Sequence, residues 1–232
     1  MFLGGKRDHV SKVGVFAYLI DKYGLDKGVE KKMAQREVSA SSKGLKLTDI
    51  LITIVISAVF GVIYRIWGPI YDLMKPLGLH AEQLSYGMWF MAATFAFLVI
   101  RKPGVALLAE LAAATIEALY GGHWGVGTLV FGLLQGLGAE LVFAAFRYRR
   151  TNVGVTILAA FASAIMSIFV DTYYGYIDQL AFWNYVLFIA LRLLGSALIA
   201  GVFAYYLTSA LSRTGVLNLI RPVSKKDYDV LG

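Results

Sequence analysis

The stretch that decides the reading of this chain is Gly104–Tyr120, "GVALLAELAAATIEALY", preceded by "RKP" and followed by "GGHWG". It is apolar enough to lie in a bilayer, yet it carries Glu110 and Glu117. The two carboxylates are seven residues apart, so a helix places them on one face, two turns from each other. Ala106, Ala113, Ala114 and Gly121 share that face and leave room beside the carboxylates. Charged side chains inside a membrane are costly and face a bundle interior or a cavity. The segment therefore reads as an interior-lining helix, provided that the rest of the chain is a membrane protein.

The composition meets that condition. Of 232 residues, 58% are hydrophobic, whereas soluble domains average about 45–50%, and the mean hydropathy is +0.66. Six apolar segments, each near the roughly 17–25 residues that cross a bilayer, run over Ile50–Trp67, Leu84–Ile100, Gly104–Tyr120, Gly125–Phe146, Val153–Tyr173 and Ala181–Leu211. Alternating strands of barrel type are absent. The fold class expected is an all-α integral membrane bundle of six helices.

Basic residues set the expected orientation. Of the 22 Lys and Arg, 19 fall in residues 1–47, at 101–102, at 147–150 or in the tail from Arg213, whereas loops 68–83, 121–124 and 174–180 carry only Lys75. Both termini are expected in the cytoplasm, and the net charge of +7 is explained without nucleic acid. The domain reading is a cytoplasmic extension (1–47), a six-helix membrane domain (48–213) and a cytoplasmic tail (214–232). Within the extension, Val13, Phe16, Tyr18, Leu19, Ile20 and Tyr23 give an amphipathic pattern suited to the membrane surface. Its longest apolar run, "VFAYLI", is too short for a signal core.

The chain has no cysteine, and His9, His80 and His123 lie too far apart for a metal motif. No phosphate-binding G-x-x-x-x-G-K-[ST] loop, H-E-x-x-H or G-x-S-x-G occurs. No metal, cofactor or catalytic residue is expected.

The intramembrane polar groups gather toward the outer half of the bundle. Trp124, Thr128, Phe131 and Gln135 line one face of the fourth segment, Asp171 ends the fifth, and Asn184 opens the sixth. Glu117, Gln135 and Asp171 share a depth with many aromatic side chains and read as ligand-facing. Glu110 fits either a structural or a ligand role. Glu140 and Arg192 read as structural, in a buried ion pair or on backbone carbonyls. Tyr86, Trp89, Trp124, Tyr173, Tyr174, Tyr176 and Trp183 fit an interfacial belt or a stacking surface. Small residues four apart, Gly132/Gly136, Ala160/Ala164 and Ala197/Gly201, suit close helix packing. Ser57 and Gly61 make a further such pair, on the first helix, that could meet another subunit.

"YGMWF" (86–90), "RKPGVALLAELAAATIEALYG" (101–121), "QGLGAELVF" (135–143), "VDTYYGY" (170–176) and "LRLLGSALIAG" (191–201) carry a family signature. Over residues 48–220 the chain resembles the YkoE-type substrate-binding S components of energy-coupling factor (ECF) transporters. That resemblance implies a multi-pass subunit of a prokaryotic plasma membrane that captures thiamine, or its hydroxymethylpyrimidine moiety, from outside. It also implies a transmembrane coupling subunit and two ATPase subunits as partners, with Ser57 and Gly61 at the coupling contact. Under this reading Glu117 and Gln135 serve the pyrimidine. Asp171 serves the cationic thiazolium, beside Tyr86, Trp89, Trp124, Tyr174 and Asn184. Two other classes stand beside it: an intramembrane enzyme acting on a lipid-linked substrate, with Glu110 and Glu117 as acid and base, and a structural subunit without ligand.

Overall fold

The computed structural model describes residues 44–122, 125–215 and 217, and every regular element among them is helical. Helix α1 spans Leu47–Met74. A 3-10 helix, Ala81–Phe90, runs directly into α2, Met91–Ile100. Then come α3 (Val105–Leu119), α4 (Gly127–Ala145) and α5 (Val153–Tyr173). Helix α6 (Phe182–Ser196) continues through a π-helical stretch, Ala197–Phe203, into α7, Ala204–Arg213. Five of the helical runs are long and apolar enough to cross a membrane, and α3, at 15 residues, is shorter. The domain assignments 1–47 and 214–232, and the amphipathic segment within the first, fall almost entirely outside the described residues.

Consecutive spans are joined by short loops. Helix α3 packs between α1 and α4, α4 packs on α5, and α5 packs on α6 and the π-helical stretch. Helix α2 takes the middle, where every residue from Met91 to Val99 is buried. A helix apolar all round belongs in such a position. Each surrounding helix turns only one face inward, so α1 leaves Leu51, Ile54, Val55, Val59 and Ile66 exposed to the apolar surroundings.

Three features depart from the simplest helix expectations. Helix α1 continues past Trp67 and through Pro69 as far as Met74. Proline there removes one backbone donor, but tertiary contacts hold the added turn, with Tyr71 against the rings of Tyr86 and Trp89. The second span is not α-helical throughout. Its first ten residues are 3-10, a form that seldom persists beyond three or four residues. At about 2.0 Å per residue it stretches the 20-residue span to about 35 Å, enough for a core of about 30 Å.

Backbone contact with the last span accounts for the stretched form. Gly195 lies against the backbone of Leu84, so closely that any β-carbon there would overlap it. A β-carbon on Gly87 would meet Ser196 Cα at 2.8 Å and the Gly195 carbonyl at 2.9 Å. The two chains cross backbone on backbone, and the π-helical stretch begins two residues after Gly195.

The third departure corrects an expectation about a partner. Ser57 and Gly61 do not form a free face. Ser57 is buried, and its hydroxyl donates to the Ala109 carbonyl of α3 at 3.0 Å. A β-carbon on Gly61 would lie 2.7 Å from Ile116 and 2.8 Å from the Ala113 carbonyl. The pair lets α1 and α3 approach each other, and α3 already occupies the face assigned to a coupling subunit. Gly132 and Gly136 do the same between α4 and α3, and Gly201 between the π-helical stretch and Ile157 of α5.

The crossing gives a stability test. Gly195→Ala should lower the thermal midpoint in detergent by an amount equivalent to about 2 kcal/mol or more, because neither backbone can yield to the added carbon. Gly127→Ala, at a helix position with open space around it, should leave the midpoint unchanged or raise it slightly.

Candidate functional site

A narrow cleft opens among α1, the 3-10 helix, α3 and α4. Its aromatic walls are Tyr64, Tyr71, Tyr86, Trp89 and Phe131, and its polar groups include Glu110, Glu117, Thr128 and Gln135. Ala114 and Gly132, where α3 and α4 touch, complete the lining. Sequence reasoning placed Glu117, Gln135, Tyr86 and Trp89 at a ligand site, and the fold brings these four to one cleft.

Glu110 is the deepest of the acidic groups. Its Oε2 accepts from the Tyr64 hydroxyl at 3.0 Å and from the Ala93 N–H at 3.1 Å, and the Tyr64 oxygen accepts from the Ala92 N–H at 2.9 Å. Ala92 and Ala93 open α2, where a helix has N–H groups without partners inside it. Changing from 3-10 to α halfway across the span exposes these donors in the membrane interior, and Glu110 and Tyr64 satisfy them. Among the described residues Glu110 Oε1 is buried with no hydrogen-bond partner, and so is Thr128 Oγ1. Buried polar atoms are nearly always hydrogen-bonded, so two unsatisfied atoms at one cleft mark where a ligand's polar groups would fit.

Glu117 sits two helical turns further along α3, nearer the mouth, and accepts from the Trp89 indole N–H at 3.0 Å. Its place is fixed by the end of α3. Gly121 takes a φ of +77°, the Gly122 N–H bonds to the Glu117 carbonyl at 2.9 Å, and the Gly121 N–H bonds to the Ala118 carbonyl at 3.1 Å. This is a Schellman closure, which favours glycine at the left-handed position. Helix α5 ends alike: Gly175 has φ +72° and the Tyr176 N–H bonds to the Asp171 carbonyl at 2.9 Å. Glu117 and Asp171 thus hold equivalent positions in the last turn of their helices. A carboxylate there faces the negative end of the helix dipole, and each has a donor against it.

For Asp171 that donor is Arg192, which is buried and forms an ion pair with it. Arg192 also donates to Gln83 Oε1 at 2.8 Å and to the Ser167 hydroxyl at 3.2 Å. Its guanidinium lies between two rings, 3.7 Å from the centroid of Tyr86 and 4.4 Å from that of Phe188. Tyr86 lines the cleft, and Arg192, which does not line it, lies over the Tyr86 ring. Asp171 therefore stands behind the aromatic wall, engaged by Arg192, and does not line the cleft. Glu140 accepts from the N–H groups of Gly104 at 2.6 Å, Ala106 at 3.1 Å and Leu107 at 3.4 Å, holding the start of α3 with a favourable charge.

The remaining residues lie elsewhere. Tyr174 is exposed and stacks on Tyr176, with Phe131 6.4 Å away on the other side. Asn184 is exposed at the start of α6. Trp124 lies outside the described residues. Sequence reasoning missed Tyr64, Tyr71 and Gln83. A signal for the tyrosines existed: Ser57, Tyr64 and Tyr71 recur every seven residues and so share one face of α1. Among the described residues, no three His, Cys, Asp or Glu side chains come together as a metal site.

Three comparisons bear on this arrangement. The family described as "ABC-type cobalt transport system, permease component" matches residues 48–166. A Bacillus subtilis (strain 168) protein, named provisionally as the HMP/thiamine permease protein YkoE, is 35% identical over 177 residues, covering 76% of this chain and 89% of that protein. A crystal structure of an S component of an ECF transporter superposes with a TM-score of 0.72 at 35% identity, covering 75% of this chain and 89% of the other.

The Arg192 cluster yields a prediction of its own. Arg192→Ala leaves a buried carboxylate without its cation, a loss of about 3–5 kcal/mol. The variant should melt well below the parent in detergent, and Asp171→Asn introduced with it should recover part of the loss.

Proposed function

Because the chain belongs to the YkoE-type S components of ECF transporters, we propose that its cleft captures thiamine or the hydroxymethylpyrimidine moiety of thiamine. As an S component it is the substrate-binding, non-enzymatic subunit of a transporter, and the intramembrane-enzyme alternative falls with that assignment. The proposed orientation puts both termini in the cytoplasm of a prokaryote, so that the cleft opens to the outside of the plasma membrane. A transmembrane coupling subunit and two ATPase subunits then supply the energy, in keeping with the lack of a phosphate-binding loop in this chain.

One observation carries the reading: Glu110 Oε1 is a buried acceptor at the cleft without a donor among the described residues. An aminopyrimidine brings an exocyclic amine that donates to such an oxygen and a flat ring that suits the walls of Tyr71, Tyr86, Trp89 and Phe131. Glu117 gives a second acceptor near the mouth, and Gln135 can donate or accept. In thiamine the thiazolium cation is served by the same carboxylates and by aromatic faces, so Asp171 is not needed for it. Binding requires no bond to be made or broken.

Glu110→Gln tests the deepest contact. The amide oxygen can keep the bonds from Tyr64 and Ala93, while its NH₂ replaces the free acceptor with a donor. A charge-assisted hydrogen bond contributes about 1.5–3 kcal/mol, so affinity for the pyrimidine should fall tenfold or more by calorimetry while the thermal midpoint without ligand stays near the parent's. Glu117→Gln should weaken binding in the same direction. Unchanged affinity in both variants would refute the assignment. Mass spectrometry of small molecules released from the denatured protein tests the ligand class without a variant.

A further inference from the structure

Glu110 and Glu117 can only accept hydrogen bonds from a ligand when ionised, whereas an aminopyrimidine also carries ring nitrogens that need a donor. We propose that the Tyr71 hydroxyl is that donor, and that Arg192 fixes its direction through Gln83. This inference rests on the pyrimidine reading above and adds to it a residue that selects the heterocycle.

The direction follows from which groups can donate. A guanidinium has five N–H donors and no acceptor, so the Gln83 atom 2.8 Å from Arg192 Nε must be the amide oxygen. The amide nitrogen then faces Glu82 Oε1 at 3.1 Å and the Tyr71 hydroxyl at 2.5 Å. Turning the amide over would set NH₂ against the guanidinium and oxygen against a carboxylate. Both contacts would repel, so the polarity of Gln83 is held from two sides. Tyr71 must accept from Gln83, and its own hydrogen finds no acceptor among the described residues. Tyr71 lines the cleft, and the proposal gives this hydrogen to a ligand there.

Packing holds the same ring in place. Tyr71 meets Trp89 edge-on at 5.2 Å and Tyr86 at 6.1 Å between centroids, and Arg192 lies against the far face of Tyr86. Arg192 touches no cleft surface. It acts as a positioning residue, through the Gln83 amide on the tyrosine hydroxyl and through the Tyr86 ring on the wall. Without the Arg192–Gln83 bond only Glu82 orients the amide, and a reversed amide would draw the Tyr71 hydrogen to its own oxygen and take that donor from the cleft.

The experiment reads discrimination, which a merely structural role would not move. The full-length protein in detergent is titrated by calorimetry with 4-amino-5-hydroxymethyl-2-methylpyrimidine and with its two isomeric pyridine analogues, each having one ring nitrogen replaced by CH. The parent should bind one isomer about three- to tenfold more weakly than the pyrimidine, the span of a neutral hydrogen bond. In Tyr71→Phe that gap should close to within about twofold. The Phe variant should fold normally, because Gln83 keeps its bonds to Arg192 and Glu82, and a thermal melt checks this. Arg192→Lys, which keeps a cation for Asp171 without the fork that also reaches Gln83, should narrow the gap while Tyr71 remains. If the parent binds the pyrimidine and both isomers alike, or if Tyr71→Phe keeps the full gap, Tyr71 is not the donor. If the parent binds no pyrimidine, the proposed function fails and this inference fails with it.

Discussion

Within a bilayer every backbone donor has to find its partner inside the protein, and this fold frees two such donors in the middle of its central span. The change from 3-10 to α at Phe90 and Met91 exposes the N–H groups of Ala92 and Ala93. Tyr64 from α1 and Glu110 from α3 meet them. Three elements remote in sequence are thus joined at one point, and the carboxylate that joins them has one oxygen left over. The same arrangement that satisfies the backbone produces a polar floor for a cleft.

The cause of that junction lies on the other side of the bundle. Gly195 and Gly87 let the last span cross the 3-10 helix at backbone contact, a proximity that trades side-chain packing for dispersion between main chains, as lipid-embedded helices commonly do. Arg192 lies one turn before Gly195 and fastens the crossing to α5 through Asp171 and Ser167. Its two aromatic neighbours shield it, so the pair is out of reach of both lipid and water. The wall of the cleft and the anchor of the last helix are consequently one structure, with Tyr86 shared between them.

The carboxylates show how the same side chain acquires different roles. Glu117 and Asp171 end their helices in the same way, three residues before the capping residue. Glu117 faces a neutral indole and the cleft, whereas Asp171 faces a guanidinium and is engaged by it. Glu140 works at the other pole, on N–H groups at the start of a helix. Local sequence does not distinguish these fates, because each depends on what a different helix brings opposite.

What the sequence by itself determined was whatever depends on composition and period. The all-helical membrane class and the segment limits from Gly104 to Tyr173 follow from apolar run length. The shared face of Glu110 and Glu117 follows from helical geometry, and the structural role of Arg192 and Glu140 from the cost of a lone charge in lipid. Four cleft residues, Glu117, Gln135, Tyr86 and Trp89, were legible as polar or aromatic groups at one depth. Only the tertiary structure decided which faces meet. It turned Ser57 and Gly61 toward α3, set Asp171 behind the wall, left Asn184 at the surface and carried α1 past Pro69 so that Tyr71 reached the site. The physical reason is that depth and face are properties of one helix, readable along its own sequence. Partners, by contrast, depend on crossing points, and here those are set by single glycines touching other helices, in the case of Gly195 a backbone more than a hundred residues away.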